Sequence, residues 1–256
     1  MHYYDTAGNS ANEVQGKNGK LRTPYWHEAK ALGLVPGTTS MNAQLASEAI
    51  VFWKVNLALE LAKRYPFDTM TMNEDVWKDK IRAALKLEST RIQKQGHGIH
   101  DALDKYYKTG ILNETWKDYI VPVIEMIASK WPMLVRTDWI AEKRFNYKGL
   151  YGGSVDLHCE YEDGIILDYK SKDTTDKSKF KTYEGHHQQL VAYAHGLGMP
   201  NAICGNILLS ALEPGILVFI QHYEAELTKA WEGFKLLVQY WHLQNFRQGI
   251  SFTEDK

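Results

Sequence analysis

With 256 residues, 44% hydrophobic and 24% charged, the chain can bury a domain-sized core and has the balance of a folded globular protein, not a disordered or fibrous one. Its 30 basic and 31 acidic side chains leave a net charge of −1, so there is no wholesale pull toward nucleic acid or anionic lipid, although a local basic groove fits a neutral total. Two cysteines, Cys159 and Cys204, stand far apart in apolar runs, so neither a disulfide framework, a structural zinc nor an iron–sulfur cluster is expected. No apolar run reaches the roughly 18 residues of a membrane span. The opening MHYYDTAGNSANEVQ is polar and lacks a signal-peptide pattern, so a cytosolic compartment is expected.

Residues 1–22 are rich in glycine and polar side chains and read as an extended or poorly ordered arm. Thr23-Pro24 opens a short helix to about Leu32, which Gly33 to Gly37 closes. Thr38, Thr39 and Ser40 offer capping hydroxyls before a helix over Ala43–Arg64, where Leu45, Ile50, Trp53, Leu57 and Leu61 recur at helical spacing. Asn73 begins another helix, to about Gln93, and Gly96-His97-Gly98 breaks or kinks it before helical periodicity resumes over Ile99–Tyr107. Trp116–Trp131 is one more amphipathic helix, stopped by Pro132.

From Met133 the pattern turns to strands. Leu134-Val135 and Trp139-Ile140 suggest the first, and Phe145–Gly149 turns into a hairpin, YKGLYGGSVDLHCEYEDGIILDYKSK, over Tyr147–Lys172. A helix over Phe180–Gly198, strands over Asn201–Ser210 and Gly215–Tyr223, and a helix from Ala225 to about Arg247 complete the chain. The expected fold is α/β (α+β): a mixed central sheet flanked by helices, with residues 23–132 mainly helical and 133–256 carrying the sheet, as one domain.

The hairpin carries the chemistry. Asp168 and Lys170 share one strand face, with Tyr169 opposite. Folding about Glu162 brings Asp156 level with Asp168 across the hairpin. Two carboxylates and an ammonium at one sheet edge suit a divalent cation and a phosphate, and Asp168 appears where an apolar strand reaches the sheet's end. The plainer alternative is a strand end with solvated charges. His100 flanks the apolar stripe of Ile99, Leu103 and Tyr107 and offers an imidazole ligand, with His97 as its rival. Gln189 and Tyr193 lie at i, i+4 on one helix face. Lys172, Lys177, Lys179 and Lys181 form a basic loop beside them, suited to a nucleic-acid backbone. Trp26, Trp53 and Trp77 could stack on bases, though each also reads as core.

Taken in order, GxxxH at Gly96–His100, GGSVD at Gly152–Asp156, DYK at Asp168–Lys170 and QxxxY at Gln189–Tyr193 resemble the RecB-like nucleases of the PD-(D/E)XK superfamily, over about Gly96–Ser210. The upstream KLRTPYWHEAKALGLVPGTTS is similar to the opening of phage-encoded members. The resemblance implies a restriction-endonuclease-like fold and a nuclease dependent on Mg²⁺ or Mn²⁺. His100, Asp156, Asp168 and the Tyr169 carbonyl would be metal ligands, and Lys170 the catalytic lysine. Gln189 and Tyr193 would contact DNA or steady the site. Asp168 stands where glutamate is more frequent. The cysteines that hold an iron–sulfur cluster in some relatives are absent, so no cluster is expected. Glu142, on the preceding strand, would add a carboxylate or form a surface salt bridge. The implied activity is exonucleolytic, on DNA ends or single strands, in a bacterial or phage-infected cell, alongside a recombination or replication partner protein. An endonuclease of the same fold and a non-catalytic nucleic-acid-binding subunit are the alternatives.

Overall fold

The computed structural model describes residues 2–43 and 48–252. The N-terminal segment differs from the arm expected of it. Strand β1 (Tyr3–Tyr4) pairs antiparallel with β4 (Val35–Pro36), and β2 (Val14–Gln15) with β3 (Leu21–Arg22). Tyr3 is fully buried, and Asn146 donates its side-chain N–H to the Asp5 carbonyl at 2.7 Å. The Asp, Asn and Gly residues here build tight turns: Asp5 Oδ1 accepts from the backbone N–H groups of Ala7 and Asn9 at 2.9 and 2.8 Å. Turn chemistry and disorder share a composition, and only the buried tyrosine separates them.

Helix α1 spans Trp26–Ala31 and α2 Thr38–Asn42. Thr38 therefore lies inside a short helix instead of capping a long one, and its hydroxyl donates to the buried Gly152 carbonyl at 3.0 Å. Helix α3 covers Glu48–Arg64, and Leu45 of the expected helix lies outside the described residues. Of the three tryptophans considered for stacking, Trp53 and Trp77 are half-buried and Trp26 is exposed. The Trp77 indole donates to the Tyr65 carbonyl at 2.7 Å.

Helix α4 runs unbroken from Glu74 to Thr109 through the two glycines expected to break it. At 1.5 Å per residue it is about 54 Å long. The glycines serve close approach: a Cβ on Gly98 would run into the Trp116 indole, and one on Gly96 would meet Ser171 Oγ at 3.1 Å. Asn73 caps the helix, accepting from the Val76 N–H at 2.9 Å. Asn73→Ala is expected to cost about 1 kcal/mol, read by urea denaturation, with faster amide exchange confined to the first turns.

Helix α5 (Lys117–Lys130) leads into β5 (Trp139–Tyr147), β6 (Tyr151–Cys159) and β7 (Ile165–Lys172). Leu134-Val135 lies in irregular chain between a turn and the short helix at Arg136–Asp138, and β5 extends to Tyr147, past the expected turn at Phe145. Helix α6 (Glu184–Gly196) crosses to β8 (Ile203–Ser210), then come β9 (Leu217–His222) and α7 (Glu224–Trp241). The five strands lie side by side in chain order, antiparallel except for the parallel β7–β8 pair. This is a mixed α/β architecture with helices on both faces of a mixed sheet. Among the described residues, no helix is long and apolar enough to cross a membrane.

Each face has its own core. Ile99, Leu103, Ile120 and Ile127 of α4 and α5 pack on Trp139, Leu157, Leu167 and Tyr169. Leu190, Tyr193, Phe234 and Trp241 of α6 and α7 pack on Phe145, Tyr151, Val155 and Ile166, joined by Tyr3 and Met41. Leu157 and Val155 are two apart yet face opposite cores, which strict strand alternation forbids. The change of face occurs at Asp156.

Candidate active site

The β6–β7 ladder pairs Cys159 with Ile165, His158 with Ile166 and Leu157 with Leu167, and then ends. The next pair would be Asp156 opposite Asp168, so the aspartates are level, as the sequence predicts. Beyond them β7 stays paired to β8 as far as Lys172 with Ser210, while β6 stays with β5. The strands part at the two carboxylates, which leaves a cleft between β6 and β7 in the sheet's hydrogen bonding. Asp156 Oδ2 replaces the missing ladder acceptor, taking the Tyr169 N–H at 2.9 Å. This leaves the Tyr169 carbonyl on the same strand segment as Asp168.

The split admits side chains from both helical layers. From α4, His100 Nδ1 comes within 3.5 Å of Asp156 Oδ2, and its ring meets Tyr169 edge-on at 5.6 Å. From α6, Gln189 Oε1 accepts from Lys170 Nζ at 3.0 Å, and Gln189 Nε2 donates to the Tyr193 hydroxyl at 2.6 Å. Lys170 Nζ lies 2.9 and 2.8 Å from the two oxygens of Asp168. Asp168 is 1% exposed, so this ion pair is held in a low dielectric and gains by its hydrogen bonds. Seven of the residues singled out in the sequence thus meet in one place: His100, Asp156, Asp168, Tyr169, Lys170, Gln189 and Tyr193.

Lys172 lies beside this group. It is half-buried, donates to the Lys181 carbonyl at 3.2 Å and sits 5.1 Å over the exposed Tyr183 ring. Burial, then the Lys170 charge, lowers its pKa. Lys177, Lys179 and Lys181 are exposed on the adjoining loop. His97 is exposed on α4, one turn from His100.

Three residues of the site were not assigned to it from sequence. Glu142, weighed between a carboxylate for the site and a surface salt bridge, stands opposite Asp156 at the one unpaired position of the β5–β6 ladder. Its φ of 53° is in the left-handed region, uncommon for a side chain other than glycine. Both strands change face here, which aims Glu142 at Ser154, whose hydroxyl donates to it at 2.6 Å. Its charge raises the Asp156 pKa. Asn206 and His222 lie behind Asp168: Asn206 Nδ2 donates to Asp168 Oδ2 at 2.8 Å, and Asn206 Oδ1 is 2.8 Å from His222 Nε2. A lone amide inside the apolar run ICGNILLS was the available signal.

Burial, then the facing Asp168 charge, holds the Asp156 carboxyl well above the usual range, against the opposing pull of Lys170 and the Tyr169 N–H. Burial also lowers His100 to about 4, which keeps a neutral imidazole with a free lone pair. Two facing carboxylates, Asp168 buried and Asp156 largely so, beside a neutral imidazole and a backbone carbonyl, are a donor set that a hard divalent cation relieves. Among the described residues no three His, Cys, Asp or Glu side chains form a metal-holding group by themselves. Mg²⁺ does not require one, since it keeps several waters and takes one or two carboxylates. The residues fit such an ion.

His222 gives the site a pH signature. Burial lowers its pKa to about 4, from about 6.5 in an unfolded chain. Above pH 6.5 both states hold it neutral, and its contribution to stability is complete. As pH falls from 6.5 to about 4 the unfolded chain takes up a proton that the folded one refuses, and stability drops by up to about 3 kcal/mol. Asp156 runs the other way, because acidification neutralises a carboxyl whose folded pKa is raised. A comparison with His222→Gln cancels Asp156, His100 and the other buried histidines. Unfolding free energies from urea titrations at pH 7 and pH 4.5 are expected to fall further in the wild type than in the variant, and parallel falls would contradict the assignment.

No family model matches this chain, and no curated protein matches it. Among solved structures, the crystal structure of SSO0001 aligns over 46% of this chain at 15% identity, with a TM-score of 0.27. The chain spans 57% of that protein's length. The functional reading therefore stands on the site's own residues.

Proposed function

We propose that this chain is a divalent-metal-dependent DNA nuclease with a restriction-endonuclease-like core, acting on DNA ends or single strands. The observation that carries this reading is the convergence of Asp156, Asp168 and Lys170 where β6 and β7 separate, reached by His100 from one helical layer and Gln189 from the other. His100, Asp156, Asp168 and the Tyr169 carbonyl would hold Mg²⁺ or Mn²⁺. When bound, the ion would supply positive charge against the scissile phosphate and make water more acidic.

The protein's own groups would do the rest. Lys170, held between Asp168 and Gln189, presents its ammonium where charge develops on a phosphate oxygen. Gln189 is itself fixed by Tyr193, so the lysine is oriented before substrate arrives. Glu142 adds a third carboxylate beside Asp156. Lys172 and the exposed lysines up to Lys181 would follow the DNA backbone away from the cleft. A local basic path of this kind answers the neutral total charge.

The test uses end-labelled linear DNA, single- and double-stranded, with closed circular single strands alongside, each with Mg²⁺, Mn²⁺ or EDTA. Metal-dependent release of nucleotides from linear but not circular DNA is the expected result. Cleavage of circles would make the enzyme an endonuclease. DNA binding without cleavage in any metal would leave a binding subunit.

A further inference from the structure

Asn206 is fully buried at the centre of β8, and its neighbour His222, at the end of β9, is 4% exposed. A carboxylate only accepts hydrogen bonds, so the 2.8 Å contact with Asp168 Oδ2 must come from the Asn206 amide N–H₂. The amide carbonyl then faces His222 Nε2 at 2.8 Å, and that nitrogen must carry the imidazole proton. A competing partner exists on the other ring nitrogen: Glu226 Oε2 lies 3.9 Å from Nδ1. That distance is too long for a hydrogen bond, and the same oxygen accepts the Tyr223 N–H at 3.2 Å. The His187 ring packs against His222 with centroids 4.3 Å apart and planes tilted by 54°.

We propose that Asn206 and His222 are positioning residues for Asp168, a relay in which His222 orients the amide and the amide fixes which carboxylate oxygen is left for the metal. The inference rests on the nuclease reading above. Oδ2 takes both Asn206 and Lys170, whereas Oδ1 takes Lys170 without the amide, so Oδ1 is the less occupied oxygen and the one left for the metal. Without the relay Asp168 loses a buried donor, and its rotamer is set by Lys170 alone. Groups that hold a ligand's second oxygen commonly matter to metal affinity about 10- to 100-fold.

Full-length protein is titrated with Mn²⁺ in a calorimeter, without DNA, as wild type, Asn206→Leu, His222→Phe and His222→Gln. Long-range ¹H–¹⁵N spectra of the imidazoles report the tautomer. The wild type is expected to carry the His222 proton on Nε2. Asn206→Leu and His222→Phe should weaken Mn²⁺ binding about tenfold or more, while His222→Gln, which keeps an N–H near the Nε2 position, should stay within about threefold. A merely structural buried pair would not show that rescue. A proton on Nδ1, or unaltered Mn²⁺ affinity in both Asn206→Leu and His222→Phe, overturns the relay. Should Asn206→Leu fail to fold, the two His222 variants carry the same comparison. A wild type that binds no Mn²⁺ defeats the nuclease reading instead, and the relay is then decided by whether Asp168→Asn shifts the His222 Nε2–H signal.

Discussion

Asp168→Asn is expected to lower Mg²⁺-dependent DNA cleavage by about a thousandfold or more, with the protein still folded. Asparagine matches the shape of aspartate and can still accept a bond from Lys170, but it brings no charge to a cation or to the lysine. Asp168 is the second largest cause of the raised Asp156 pKa, so the variant also draws Asp156 back toward the ordinary carboxylate range. Lys170→Ala should cost about a hundred- to a thousandfold, since it removes one preorganised charge. The double variant should be little worse than the more damaged single, because the two side chains act as one unit. The measurement is the initial rate on end-labelled linear DNA at saturating Mg²⁺, with a thermal melt to confirm folding. Cleavage by Asp168→Asn within about tenfold of wild type would remove Asp168 from the site.

Phe145→Ala is expected to destabilise the protein by about 3–5 kcal/mol, a third or more of the stability of a typical domain. Phe145 is 6% exposed and lies edge-on to Tyr151 and Tyr193, at 5.9 and 6.0 Å. Glycines give it room: a Cβ on Gly153 would stand 2.8 Å from its ring, one on Gly196 would overlap it, and one on Gly8 would meet its backbone at 2.9 Å. Strand β6 and helix α6 close on the ring while the N-terminal segment fixes the backbone behind it, so truncation leaves a cavity that neither side can fill by moving alone. The cavity would border Tyr193, and the hydrogen-bonded chain to Gln189 and Lys170 should loosen with it. Urea denaturation monitored by tryptophan fluorescence gives the free energy. A loss below about 1 kcal/mol would show that the site collapses around the gap.

Much of the cleft was legible because its signals are local. A hairpin turned at Glu162 sets Asp156 level with Asp168 by counting alone, and the pairing of Leu157 with Leu167 bears this out. Helical spacing put Gln189 and Tyr193 together, and they are 2.6 Å apart. Glycine was the misleading residue. Gly96 and Gly98 read as a helix break through their poor propensity, yet they lie inside α4, where Trp116 and Ser171 need the space. The Gly- and Asn-rich opening read as an arm, and it is tied down by Tyr3.

The sequence by itself determined which residues could do chemistry and how each sits on its own strand or helix, because periods of two and 3.6 residues act over short distances. Tertiary structure decided the rest. It parted β6 from β7 at the two aspartates, turned Glu142 to Ser154 through a left-handed backbone opposite Asp156, and set Asn206 and His222 behind Asp168. None of these follows from spacing along the chain. Each arises because buried carboxylates must find donors, and the donors come from whichever strand the sheet places next to them.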